Sequence, residues 1–140
     1  MFRRRRRKQP SQMTAHYKAH KELAREIITA RIIYWNNFYN LTYKRVAIRN
    51  QRRCWGSCSE KGNLNFNYKI IFIPEALMDY VIVHELCHLT HLNHSPAFWS
   101  EVARAMPTYK EARTHLRRIT HVPAKGFPSS VIAIKQTLIH

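Results

Sequence analysis

Apolar residues recur along the chain with two different periods, and the changes of period mark its elements. From about Gln12 to Asn37 they return every three or four positions. Leu23, Ile27, Ala30, Tyr34 and Phe38 form one stripe, with Lys21, Arg25 and Arg31 on other faces. That spacing predicts an amphipathic helix whose aromatic stripe packs on the rest of the protein. Asn40 marks a turn, after which the pattern becomes strand-like. LTYKRVAIR offers Tyr43, Val46 and Ile48 as strand positions, and QRRCWGSC reads as a strand end or tight connection. EKGN is a turn, and NLNFNY alternates Leu64, Phe66 and Tyr68 with Asn63, Asn65 and Asn67. These segments predict a small antiparallel sheet.

Helical spacing then returns. Pro74 stands where a helix can start without losing a hydrogen bond, and Glu75 suits its positive end. Leu77, Val81, His84 and His88 share one side of this helix, which is expected to end near Leu92–Asn93. Ser95 and Pro96 form a cap and first-turn pair for the next helix, carrying Phe98, Trp99, Val102 and Met106. Pro107 stops it. Thr108 and Glu111 have the spacing of a capping box for a further helix, with Ala112, Leu116 and Ile119 inward and Arg113, Arg117 and Arg118 outward. Residues 121–140 end in a short apolar segment, a strand or a docked tail. The order helix, strands, helices predicts the α+β class. With 140 residues, the chain is read as a basic disordered tail, residues 1–11, followed by a single domain, residues 12–140.

The densest chemistry lies in HELCHLTHLNH, His84–His94. His84 and His88 are four apart, so on a helix their imidazoles converge from one face. Glu85 completes H-E-x-x-H, in which two histidines hold zinc and the glutamate acts as general base on the bound water. A five-residue motif alone also arises by chance, with histidines that are merely polar residues at a helix end. A third histidine at workable spacing shifts that balance. His94, beyond the expected turn, can approach a metal from another direction; Asn93 suits that turn because Asn tolerates the left-handed conformation. His91 competes if the helix continues. Tyr109, Tyr68 and Arg113 are all candidate donors to a developing oxyanion. An extended substrate is expected along a sheet edge, with Asn63–Tyr68 as the candidate edge.

Taken together, RCWGSCSEKGNLNFN and IPEALMDYVIVHELCHLTHLNHSPAFW resemble the YgjP-like metallopeptidase domain, a relative of the SprT and WLM-type zinc proteases. The resemblance covers about half of the chain, with MPTYKEARTHL as a weaker continuation. It implies a small zincin-like domain, a Zn2+ cofactor on His84, His88 and His94, Glu85 as the catalytic residue, and a protein or peptide substrate. Longer members carry a β-rich region upstream, where this chain has a basic tail and a helix.

Composition adds three points. Three cysteines do not make a disulfide framework, so free thiols and a reducing compartment, taken as cytoplasmic, are expected. No apolar run approaches the roughly 20 residues that span a bilayer. The formal charge of +16 favours polyanions. It supports a competing class, a basic nucleic-acid-binding module with a structural zinc, although that leaves Glu85 without a task. It also admits a protease acting on nucleic-acid-associated proteins, as the SprT relatives suggest. Arg3–Lys8 and the arginines of the last helix should give binding to DNA that weakens steeply as salt rises. The check is binding to single- and double-stranded DNA at two salt concentrations, for the full chain and for one starting at Gln12. Absence of binding by either at low salt would refute the expectation; equal binding by both would move the site into the folded domain.

Overall fold

The computed structural model describes residues 14–51 and 54–119. Its elements are α1 (Ala15–Tyr39), β1 (Arg45–Arg49), β2 (Gly56–Cys58), β3 (Asn63–Asn67), a 3-10 turn (Tyr68–Phe72), α2 (Glu75–Cys87), α3 (Pro96–Ala105) and α4 (Tyr109–Arg118). The α+β class is as expected. The tail at 1–11, with its Arg3–Lys8 run, and the stretch 121–140 lie outside the described residues. None of the described helices is long and apolar enough to cross a membrane.

The α2 helix is the axis of the fold. Apart from Glu75, Ala76 and His84, every one of its residues is buried. Leu77 and Val81 are buried on the side they share, but burial is not confined to that side: other faces of the helix are covered as well, with His84 left partly open. On one side, α1 and the sheet pack Ile28, Ile32, Leu64 and Phe66 against Met78, Val81 and Ile82. On the other, Phe98 and Val102 of α3 pack on Tyr80, Val83 and Cys87, with Leu116 of α4 beside them.

Thr14 starts α1, its side chain accepting from the Tyr17 backbone N–H, and Asn40 ends it in the left-handed region at φ 54°. Its buried face is Tyr17, Ala24, Ile27, Ile28 and Ile32. Only Ile27 belongs to both this face and the expected stripe. Tyr34 and Phe38 are 57% and 49% exposed; guanidiniums of Arg31 and Arg104 lie over their rings instead. The aromatic rings are covered by cations rather than by core, which helical spacing alone does not distinguish.

The sheet has the order β1-β3-β2. β2 pairs antiparallel with β3, but β1 runs parallel to it, with Arg45 opposite Asn63. The sheet is thus mixed, not antiparallel as expected, and β3 is its central strand. The candidate substrate edge at Asn63–Tyr68 is excluded, because both sides of β3 are already paired. Leu64 and Phe66 are buried as the alternation predicts, and the buried Asn67 has its own task. Its side-chain amide donates to the Gln51 and Cys54 carbonyls at 2.7 and 3.2 Å, tying the β1–β2 connection to the centre.

Pro74 and Glu75 open α2, and Ser95 and Pro96 open α3, as expected. Thr108 precedes α4, but its side chain makes no cap bond, so the capping box does not form. Arg31 joins the two longest helices through ion pairs to two carboxylates of α2. Arg31 of α1 donates from Nε and Nη2 to both carboxylate oxygens of Asp79 in α2, at 2.9 and 2.7 Å. Asp79→Ala strands that guanidinium beside Glu75, 3.8 Å away. It should destabilise the fold by about 2 kcal/mol, less than for a fully enclosed pair because the Arg31 side chain keeps 21% exposure. The measurement is the urea midpoint; an unchanged midpoint would show that Glu75 replaces Asp79.

Candidate metal centre

α2 ends earlier than its apolar pattern suggests. His88 caps it, and tight turns follow, with Leu89 N–H donating to Leu86 and His91 N–H to Cys87. Asn93 does not supply the expected left-handed residue: among the described residues Asn40 is the sole non-glycine with positive φ. The chain nevertheless reverses and brings His94 back over the end of the helix. His88 Nε2 lies 3.2 Å from His94 Nε2, and His94 Nε2 lies 3.1 Å from His84 Nε2.

Hydrogen bonds fix which nitrogens face inward. His88 Nδ1 lies 2.8 Å from the His91 carbonyl, an acceptor only, so Nδ1 carries the proton and Nε2 keeps its lone pair. His84 Nδ1 likewise donates to Glu85 Oε1 at 2.9 Å. Two bare Nε2 atoms therefore face a third imidazole, which can donate to one of them at most. Ligand nitrogens about 2.0–2.1 Å from a tetrahedral zinc stand about 3.3 Å apart, close to the spacings found here. The donor set fits a metal ion, and all three ligand atoms lie within 4.8 Å of one another. His91 contributes its backbone carbonyl to this arrangement, while its ring is outside the cluster.

Aromatic rings hold the third histidine. Phe98, fully buried, stacks on His88 at 4.4 Å and meets His84 and His94 edge-on, both at 5.1 Å. Trp99 stacks on His94, Tyr109 stacks on Trp99, and the Arg113 guanidinium lies over Trp99 at 4.8 Å. Partial desolvation against its aromatic neighbours holds the otherwise exposed His94 below the usual histidine range; His84, His88 and Arg113 push the same way and Glu85 opposes them. A depressed pKa favours the neutral imidazole that a metal requires.

Glu85 is 5% exposed, and its second oxygen, Oε2, is buried with no hydrogen-bond partner among the described residues. Gly56 makes this placement possible. A Cβ there would stand 3.0 Å from Glu85 Cγ, 3.1 Å from the Asn65 carbonyl oxygen and 3.3 Å from the Phe66 ring. In front of the carboxylate lies a cavity of about 280 Å³, whose lining includes Trp55, Gly56, Tyr80, His84, Arg113 and Arg117. Of the three candidate oxyanion donors, Arg113 borders this cavity. Tyr109 is separated from the histidines by Trp99, and Tyr68 is buried beside α1, its hydroxyl 2.8 Å from His16 Nδ1. Arg113 thus turns inward rather than outward as expected. The cysteines are free, and burial pushes the Cys58 and Cys87 thiols up to about 11. Gly56, Phe98 and Trp99 shape the site without chemistry of their own. Their signal in the sequence is the company they keep, in WGSC and NHSPAFW.

Two solved structures share the fold. The metallopeptidase zymogen abylysin of Pyrococcus abyssi is 24% identical, with a TM-score of 0.58 over 64% of this chain and 90% of its own. The metallopeptidase zymogen jannalysin of Methanocaldococcus jannaschii is 22% identical, with a TM-score of 0.51 over 68% and 94%. At these identities the likeness is one of fold. No curated protein matches the chain. The YgjP-like, metallopeptidase domain profile matches residues 2–119, from the basic N-terminal residues to the end of α4. The chain belongs to the YgjP-like metallopeptidase domain family and is a metal-dependent peptide hydrolase.

Proposed function

We propose that the protein hydrolyses peptide bonds with Zn2+ held by His84, His88 and His94 and with Glu85 as general base. The observation that carries this reading is the meeting of three imidazole Nε2 atoms beside a buried carboxylate with one uncommitted oxygen. When bound, zinc supplies Lewis acidity, by which such sites polarise a carbonyl and generate a nucleophile near neutral pH. Glu85 Oε1 orients His84, which leaves Oε2 to accept a proton from the water as its oxygen attacks the carbonyl carbon. The same carboxyl then delivers that proton to the leaving nitrogen as the C–N bond breaks. The aromatic support of His94 and the backbone wall at Gly56 hold these groups in place during both transfers.

β2, an edge strand whose Gly56 borders the cavity, replaces β3 as the strand along which an extended peptide would pair. A structural zinc would ordinarily take four protein ligands and would give Glu85 no role, so the catalytic reading is preferred. The formal charge of +16 and the exposed Lys110 and Arg118 of α4 favour substrates carried on nucleic acid.

Metal analysis of the purified chain should find one zinc. His94→Ala should remove most of it and His91→Ala none; the reverse pattern would make His91 the third ligand. Glu85→Gln should keep the fold and the zinc but lower hydrolysis of an unfolded protein by about a hundredfold or more. A variant that bound zinc and cut at the wild-type rate would end the general-base assignment.

A further inference from the structure

The cavity in front of Glu85 has a wall chemistry that the hydrolytic step does not use. Trp55, Tyr80, Val81 and Leu116 make it largely apolar, and Tyr80 and Val81 are buried. Two guanidiniums, Arg113 and Arg117, line the same space, and Arg117 is exposed, placing positive charge toward solvent. Among the described residues neither arginine has a carboxylate within ion-pairing distance.

Among the described residues Glu85 is the sole carboxylate on the lining, and as the proposed general base it is not available to neutralise them. An apolar slot with uncompensated guanidiniums suits a ligand with an apolar stem and a planar anionic end, because guanidinium and carboxylate pair bidentately. A cationic side chain would meet two like charges. We infer that this cavity is a substrate subsite for a carboxylate next to the scissile bond, from a glutamate side chain or from the C-terminus of the peptide. The inference rests on the peptidase reading above.

Binding and cleavage separate the two. Zinc-loaded Glu85→Gln protein is titrated calorimetrically with end-blocked pentapeptides identical except for Glu, Gln, Leu or Lys at the centre. A fifth peptide carries Leu there and a free C-terminal acid. The Glu peptide, the free-acid peptide or both should bind about tenfold more tightly than the Gln peptide. Which of them does so identifies the source of the carboxylate. Adding Arg117→Gln should reduce that preference severalfold while leaving the Leu peptide unaffected. Equal binding of all five, tighter binding of Lys, no binding at all, or a preference indifferent to Arg117 would each overturn the subsite. Wild-type protein is then given the same peptides. Selective binding without any cleavage would leave the cavity standing as a carboxylate-binding site and overturn its place beside a scissile bond. Cleavage at equal rates with no binding preference would overturn the subsite and leave the peptidase reading standing.

Discussion

Glu85 is an ionisable group in the interior with one of its two carboxylate oxygens unpaired among the described residues, and an enclosure of that kind costs free energy that the surrounding packing must offset. The rest of the fold can be understood from how it does so. Two apolar clusters grip α2 from opposite sides, one supplied by α1 and the sheet, the other by α3 and α4. Between them the last turn of the helix is left with one open side, and His84, the only residue of that turn not buried, faces it. The stability of the two clusters is what allows a buried carboxylate to persist at their junction.

The third histidine poses a different problem. His84 and His88 come from a rigid helix, whereas His94 lies on the irregular segment before α3 and is exposed. Its position is set by flat surfaces: Phe98 against its edge, then Trp99 and Tyr109 in sequence on its face. Ser95 accepts from the Phe98 N–H and so fixes the start of the helix that carries both Phe98 and Trp99. A loop histidine is thereby given much of the precision of a helical one.

That His84, His88 and His94 meet was legible because their intervals are set by local helix geometry and the turn that follows it. The caps at Pro74 and Ser95 were legible for the same reason, since local backbone needs are met by local residues. The β1–β3 pairing was not. Alternation tells which side chains share a face, but not which strand lies alongside or in which direction it runs. In α1, Tyr34 and Phe38 have the spacing of a core stripe, yet the buried stripe is displaced to Ala24, Ile28 and Ile32. Apolar residues under arginine side chains and apolar residues in a core look alike in one dimension. Arg113, counted as an outward charge, turns onto Trp99 for want of any local signal that an indole would be there.

The contact at Gly56 joins parts of the molecule that would otherwise be separate. Its backbone belongs to an edge strand, and directly behind it, with no room for a methyl group, lies the aliphatic stem of Glu85. Any chain that pairs along this edge pulls on the same backbone against which the carboxylate rests. Under the proposed mechanism, docking along β2 and the aim of Glu85 would be mechanically one event, since a ligand that shifts β2 would also shift the carboxylate resting on it.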